Sequence, residues 1–176
     1  MKYNFELEVP GLQEVVDLIK GCLLRLYTED EELFKRNNGQ GISERCMVFR
    51  LAHYLQLAFP DYLVDCDFNS SSDECGQLRH GKEIPNPDGT STKRFVDIIV
   101  HSRERNGWLS DFICFEIKKW NNCSPKEMLK DRNNLKILTS VYGYKYGFHL
   151  IFGRTLQNAK WMIFERDKAP SEVMGI

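Results

Sequence analysis

Two of the most apolar stretches of the sequence, Arg94-Phe95-Val96-Asp97-Ile98-Ile99-Val100-His101 and Asp111-Phe112-Ile113-Cys114-Phe115-Glu116-Ile117-Lys118-Lys119, carry acids where core residues are expected. A charge that faces an apolar core must be paired, ligated or neutralised. Side chains alternate along an extended chain, so Asp97 shares a face with Phe95, Ile99 and His101. By the same alternation Glu116 shares one with Phe112, Cys114 and Lys118, while Ile113, Phe115 and Ile117 take the other. If the two strands pair through the turn at Arg103-Glu104-Arg105-Asn106-Gly107, the two carboxylates come close enough to share a hard divalent cation. Oxygen donors of this kind suit Mg²⁺, with Mn²⁺ as its substitute. Such an ion would polarise a phosphate oxygen and lower the pKa of a bound water, while Lys118 would orient that water or offset charge on the phosphate oxygens.

A third acid, Glu44, lies on the helical stripe 44, 48, 51 and 55, which points it toward the same place. Asp131 stands between Met128 and Leu135 on another apolar helix face, with Arg132 and Lys136 beside it. Lys93, Arg94, Lys119, Arg132 and Lys136 are candidates for contact with a phosphate backbone, as are Arg79 and Lys82 in the long polar stretch before them. Each residue also has an ordinary reading. Asp97 would be a buried acid paired with Arg94 or Arg50, and Glu116 with Lys118 an edge-strand ion pair, although the flanking aromatic and aliphatic residues argue against an exposed edge. Glu44 would serve the helix dipole, Asp131 the packing of its helix, His101 a polar strand end and the loop cations a solvated surface.

The elements that must position these groups follow from periodicity. Leu12, Val15, Val16, Ile19, Cys22, Leu23 and Leu26 predict a first helix over about residues 11 to 34, within an N-terminal segment 11–36. Asn37-Asn38-Gly39-Gln40-Gly41 breaks it, and Ser43 opens a second helix with the stripe Val48, Leu51, Ala52, Leu55 and Phe59, ended by Pro60. A strand over 62–68 precedes a polar loop over 69–93. The two acid-bearing strands, apolar on both faces, belong in the middle of a covered sheet. Ser124-Pro125 starts a helix that runs to Gly143, and strands follow at Phe148 to Phe152 and at Trp161 to Phe164.

With 176 residues the chain fits a single domain, 1–176, and no apolar run reaches the length of a membrane span. The start, Met1-Lys2-Tyr3-Asn4-Phe5-Glu6, lacks the apolar stretch of a signal peptide, so a cytoplasmic location is expected. The six cysteines form no C-x-x-C pair; Cys22, Cys46 and Cys114 fall within apolar patterns and read as reduced thiols. A zinc site from Cys66, Cys75 and His80 would match no compact ligand spacing. The net charge of −1 supplies no global field for a polyanion, so any nucleic-acid contact must be local or supported by a partner subunit.

The succession of a helix with an inward glutamate, a strand, Arg94-Phe95-Val96-Asp97-Ile98-Ile99-Val100, then Phe115-Glu116-Ile117-Lys118-Lys119-Trp120, resembles the PD-(D/E)xK nuclease superfamily. The resemblance covers residues 42–153, including Lys130-Asp131-Arg132-Asn133-Asn134-Leu135-Lys136 and Gly147-Phe148-His149-Leu150-Ile151-Phe152. It implies a restriction-endonuclease-like α/β core of order αβββαβ, a mixed central sheet flanked by helices, with an extra N-terminal helix and a C-terminal extension over 154–176. It further implies Asp97 and Glu116 as metal-ligating acids, Lys118 as the catalytic lysine and Glu44 as an auxiliary acid. Val96 stands where the proline of the superfamily's name would be. The expected activity is Mg²⁺-dependent cleavage of nucleic acid, DNA above all, in defence, repair or a mobile element. The alternative is a catalytically silent module of the same fold that binds a protein or nucleic acid. Many enzymes of this kind act as dimers, which makes the first helix a candidate interface.

Overall fold

The apolar stripe of the first segment is buried along α1 (Leu12–Glu29) in the computed structural model, which describes residues 9–35, 42–69, 71–72, 78–79, 81–85, 89–102 and 111–172. The expected single helix to residue 34 is two. α1 stops at Asp30, whose N–H bonds Leu26 O, and a one-turn α2 (Glu32–Lys35) follows. The Asp30 carboxylate explains the break, because it accepts from Tyr54 Oη at 2.6 Å and Arg50 Nε at 2.9 Å and so is turned onto the neighbouring helix. Arg50 is thereby taken by Asp30 and is no partner for Asp97. That neighbour is α3 (Glu44–Ala58), whose Ser43 cap accepts from Cys46 N. Its predicted stripe is buried, but Cys46, which lies off that stripe, is exposed, contrary to the expected apolar setting. The apolar face of α1 is spent within the fold, packed with α3 on the sheet.

The main sheet has six strands: β1 (Leu63–Phe68), β6 (Val96–His101), β7 (Asp111–Lys119), β8 (Tyr146–Phe152), β9 (Lys160–Glu165) and β10 (Ser171–Glu172), in that spatial order. Only β7 and β8 run parallel, joined by the crossover helix α4 (Pro125–Ser140), so the sheet is mixed. α1 and α3 cover one face with Ile98, Val100, Ile113, Phe115, Ile117, Phe148 and Leu150. On the other face Leu135 and Leu138 of α4 pack on Val96, Ile99, Cys114, Tyr144 and Phe164. Within the C-terminal extension, β9 matches the strand expected at Trp161 to Phe164 and β10 adds a short strand beyond it. Gly147 permits the close seating of α4, because a Cβ there would meet Leu135 and Thr139 side-chain carbons at 3.2 Å. α4 ends at Ser140, short of the expected Gly143, whose φ of +84° belongs to the turn beyond it.

Three departures from strict alternation matter. The register shifts by one residue between Val100 and His101, where Ile113 and Asp111 oppose them, so Phe112 is the extra residue of a bulge. Phe112 therefore stacks on Tyr62 with the α1–α3 face, away from the Glu116 face expected for it. β6 begins at Val96, not Arg94, and Phe95 is exposed, although the alternation put it in the core beside Asp97. Finally, the stretch 69–93 is not simply loop: β2 (Ser71–Ser72) pairs with β3 (Leu78–Arg79), and β4 (Glu83–Pro85) with β5 (Ser91–Lys93). Lys82, expected at a solvated surface or on phosphate, is fully buried, its ammonium 5.0 Å from the Phe68 ring and 5.4 Å from Tyr144. The predicted turn at 103–107 and the breaker at 37–41 lie outside the described residues.

The start of α4 is a capping box, in which Ser124 Oγ accepts from Glu127 N and donates to the Glu127 carboxylate. Ser124→Ala should destabilise the protein by about 1 kcal/mol, read as a lower urea midpoint with an unchanged m-value.

Candidate metal centre

The acidic cluster forms where β6 and β7 stop pairing. Their register ends at Ile98 opposite Phe115. Beyond it, the N–H groups of Ile117 and Lys119 have no β6 carbonyl, and both are capped by carboxylates. Asp97 Oδ2 accepts from Ile117 N at 2.6 Å, and Glu44 Oε2 from Lys119 N at 2.7 Å. Two of the predicted acids, from different elements, are thus fixed along one edge of the strand that carries the other two predicted residues.

Lys118 projects into this group, with Nζ 3.3 Å from Asp131 Oδ2 and 4.0 Å from Glu44 Oε1, and donates to Ile117 O. Arg94 reaches the same acids from the other side, with Nη2 3.3 Å from Asp131 Oδ1 and Nε 3.9 Å from Glu116 Oε1. Asn134, with its amide oxygen turned to the guanidinium, accepts from Arg94 Nε at 2.8 Å and donates to Lys130 O at 3.3 Å. The structure therefore brings together Asp97, Glu116, Lys118, Glu44 and Arg94. It adds Asp131, read from sequence as more a packing residue than a chemical one, as the bridge between the two cations.

The other candidates are dispersed. Lys119 is buried, donating to Ile42 O and lying over the Trp120 ring, so it offers no surface charge to a phosphate. Lys93 and Lys136 are exposed, and Arg132 is half-buried. His101 is engaged by Asp65 at 2.8 Å rather than by the cluster. Of the conceivable zinc ligands, Cys75 and His80 lie outside the described residues. One buried polar group escaped the sequence reading altogether. His149 stands opposite Glu116 across the β7–β8 pair, its Nε2 has no hydrogen-bond partner among the described residues, and burial pushes its pKa down to about 4, which keeps it neutral. Its place in the apolar run Phe148-His149-Leu150 was the available signal.

Burial and mutual repulsion set the electrostatics. Burial pushes the Asp97 carboxyl up to about 6, with Glu44 and Asp131 adding to the rise against the Ile117 N–H and Lys118. Burial also raises Glu116 well above the usual carboxylate range, reinforced by Asp97 and Asp131. Burial works against the charge of Lys118, yet Asp131, Asp97 and Glu44 outweigh it and raise its pKa, so it stays an ammonium at neutral pH. The donors are hard oxygens crowded against one another, which suits Mg²⁺, an ion that keeps several waters and needs only one or two carboxylates. Among the described residues no group of three or more His, Cys, Asp or Glu side chains is arranged to hold a metal ion.

No family model and no curated protein matches the chain.

Because the folded Asp97 is the weaker acid, its contribution to stability is full below the unfolded value near 3.8 and is lost as pH rises through about 6. The urea unfolding free energy of the protein in chelator should fall across that interval, and the fall should shrink in Asp97→Asn.

Proposed function

We propose that this chain is a metal-dependent nuclease that hydrolyses phosphodiester bonds of nucleic acid, with Mg²⁺ as its cofactor, Mn²⁺ as a substitute and DNA as its substrate. The observation that carries this reading is the convergence of Asp97, Glu116, Glu44 and Lys118 on the end of β7 that β6 leaves. With Asp131 included, four acids lie around two cations, Lys118 and Arg94, and a divalent ion would let the buried Asp97 and Glu116, whose carboxyls are raised without it, ionise together. The order α3, β1, β6, β7, α4, β8 around Glu116-Ile117-Lys118 also supports membership of the PD-(D/E)xK superfamily and its restriction-endonuclease-like core.

In this reading Asp97 and Glu116 hold the cation, with Glu44 beside them. The ion, when bound, supplies Lewis-acid polarisation of a phosphate oxygen. The chain's own residues do the rest. Lys118, held as an ammonium, donates hydrogen bonds to the phosphate oxygens and offsets the charge that develops there, which favours that role over proton abstraction. Asp131 holds Lys118 in place, and Asn134 and Asp131 hold Arg94. Lys93 and Lys136, both exposed, are the candidates for tracking the phosphate backbone, with Arg132 at the rim. No helix of the described residues is long and apolar enough to cross a membrane. With a net charge of −1 the chain would hold DNA weakly by itself, so a homodimer or a partner subunit belongs to the proposal.

A second reading, a silent module of the same fold, is favoured by the ion pairs that already engage Glu44, Glu116 and Asp131. Incubation with supercoiled plasmid, single-stranded DNA and RNA in Mg²⁺ or Mn²⁺ separates the two. Cleavage of DNA should be abolished by chelator and fall at least about a hundredfold in Asp97→Asn and in Lys118→Ala, both with wild-type circular dichroism. Absence of cleavage on all three substrates, together with no Mn²⁺ binding by calorimetry, would hand the case to the silent module.

A further inference from the structure

Arg94 occupies an unusual place among the charged groups of the cluster. Its guanidinium has two close partners, Asp131 and the Asn134 amide oxygen, and one distant one, Glu116, at 3.9 Å. That last separation is an ion pair but beyond hydrogen-bond reach. Glu116 and Asp131 are both 3% exposed, whereas Arg94 is 19% exposed, so the guanidinium is the member of this trio with access to solvent. Its main chain is fixed independently, because Arg94 N donates to Lys82 O at 2.7 Å and Lys82 is itself fully buried. The side chain can pivot about Asp131 and Asn134 while the backbone stays in place.

Glu116 is therefore the carboxylate that Arg94 holds least, and it is also one that the metal-centre reading assigns to a divalent ion. Two cations cannot both sit against one buried carboxylate without repelling each other through a medium that screens poorly. We propose that Arg94 is an exchangeable neighbour of Glu116: it stands against that carboxyl until a divalent cation binds, then yields it while keeping Asp131 and Asn134. This inference rests on the metal-centre reading. It divides the labour of the two basic residues, since Lys118, 3.3 Å from Asp131 and hydrogen-bonded to Ile117 O, stays in the cluster while Arg94 makes way.

The test is calorimetric titration of Mn²⁺ into the full chain and into Arg94→Gln and Arg94→Lys, with thermal melts of each in chelator and in Mn²⁺. Removing the competing charge should tighten Mn²⁺ binding by about tenfold in Arg94→Gln. Arg94→Lys, which keeps the charge but loses the planar fork that spans Asp131 and Asn134, should tighten it by about threefold. In the melts, Arg94→Gln should be the less stable protein in chelator and gain more than the wild type from Mn²⁺. An arginine that merely organised the site would give the opposite sign, weaker binding in Arg94→Gln with recovery in Arg94→Lys. Equal or weaker binding by whichever variant folds, with the wild type still binding, overturns the exchange and leaves the metal centre standing. Failure of the wild type and both variants to bind Mn²⁺ overturns both, while binding by Arg94→Gln alone supports the exchange in its strongest form.

Discussion

The arrangement depends on one edge of one strand. β7, the longest strand among the described residues, is hydrogen-bonded on both sides only in part: β8 accompanies it to Lys119, but β6 leaves its register at Phe115. Buried backbone N–H groups must find acceptors. Here the acceptors are side-chain carboxylates, Asp97 for Ile117 and Glu44 for Lys119. A carboxylate can cap an N–H with one oxygen and leave the other free, which a backbone carbonyl cannot do. The same two hydrogen bonds that finish the strand therefore bring a strand residue and a helix residue to one edge of β7.

That solution concentrates negative charge, and the rest of the site follows from the need to contain it. The parallel step from β7 to β8 requires a crossover, and α4 supplies it by passing over the face that carries Glu116. Gly147 lets the helix sit close, so Asp131 and Asn134 are pressed into the same layer. Asp131 increases the repulsion felt by Glu116 and Asp97, yet it is also what fixes Lys118 and Arg94. A lone acid would have no need of such a scaffold. Four acids held by two cations form a network in which every member is placed by charge as much as by packing.

Much of this was legible in the sequence, for physical reasons that can be named. The burial of both faces of β7 followed from its unbroken apolar run, and the inward Glu44 from helical spacing on the stripe that holds Val48, Leu51 and Leu55. Asp97, Glu116 and Lys118 could be located because an acid in a hydrophobic strand violates a strong rule. What escaped were features set by neighbours far away in sequence. The break at Asp30 is made by Tyr54 and Arg50, the burial of Lys82 by Phe68 and Tyr144, and the swing of Phe112 by a one-residue bulge. Phe95 was placed inside by counting twos along a strand that begins only at Val96. Period-two counting is valid only within a paired strand, and it fails at the strand end, which is where this site lies.

The cluster also bears on what the fold does with its stability. Burying like charges beside one another costs free energy, and apolar residues of similar size at these positions would pack at least as well. Two separate hydrophobic clusters, one under α1 and α3 and one under α4, meet at the sheet and support the charged group between their ends. The aromatic contacts of Tyr62 with Phe112 and of Phe115 with Phe148 reinforce the same central strands. A protein that needed the acids only as ion pairs could have matched them one to one with bases. The excess of acids over bases, held at a strand end by a well-packed sheet, is met within the chain by the raised carboxyls of Asp97 and Glu116, and in the proposed reading a divalent ion would take over that role.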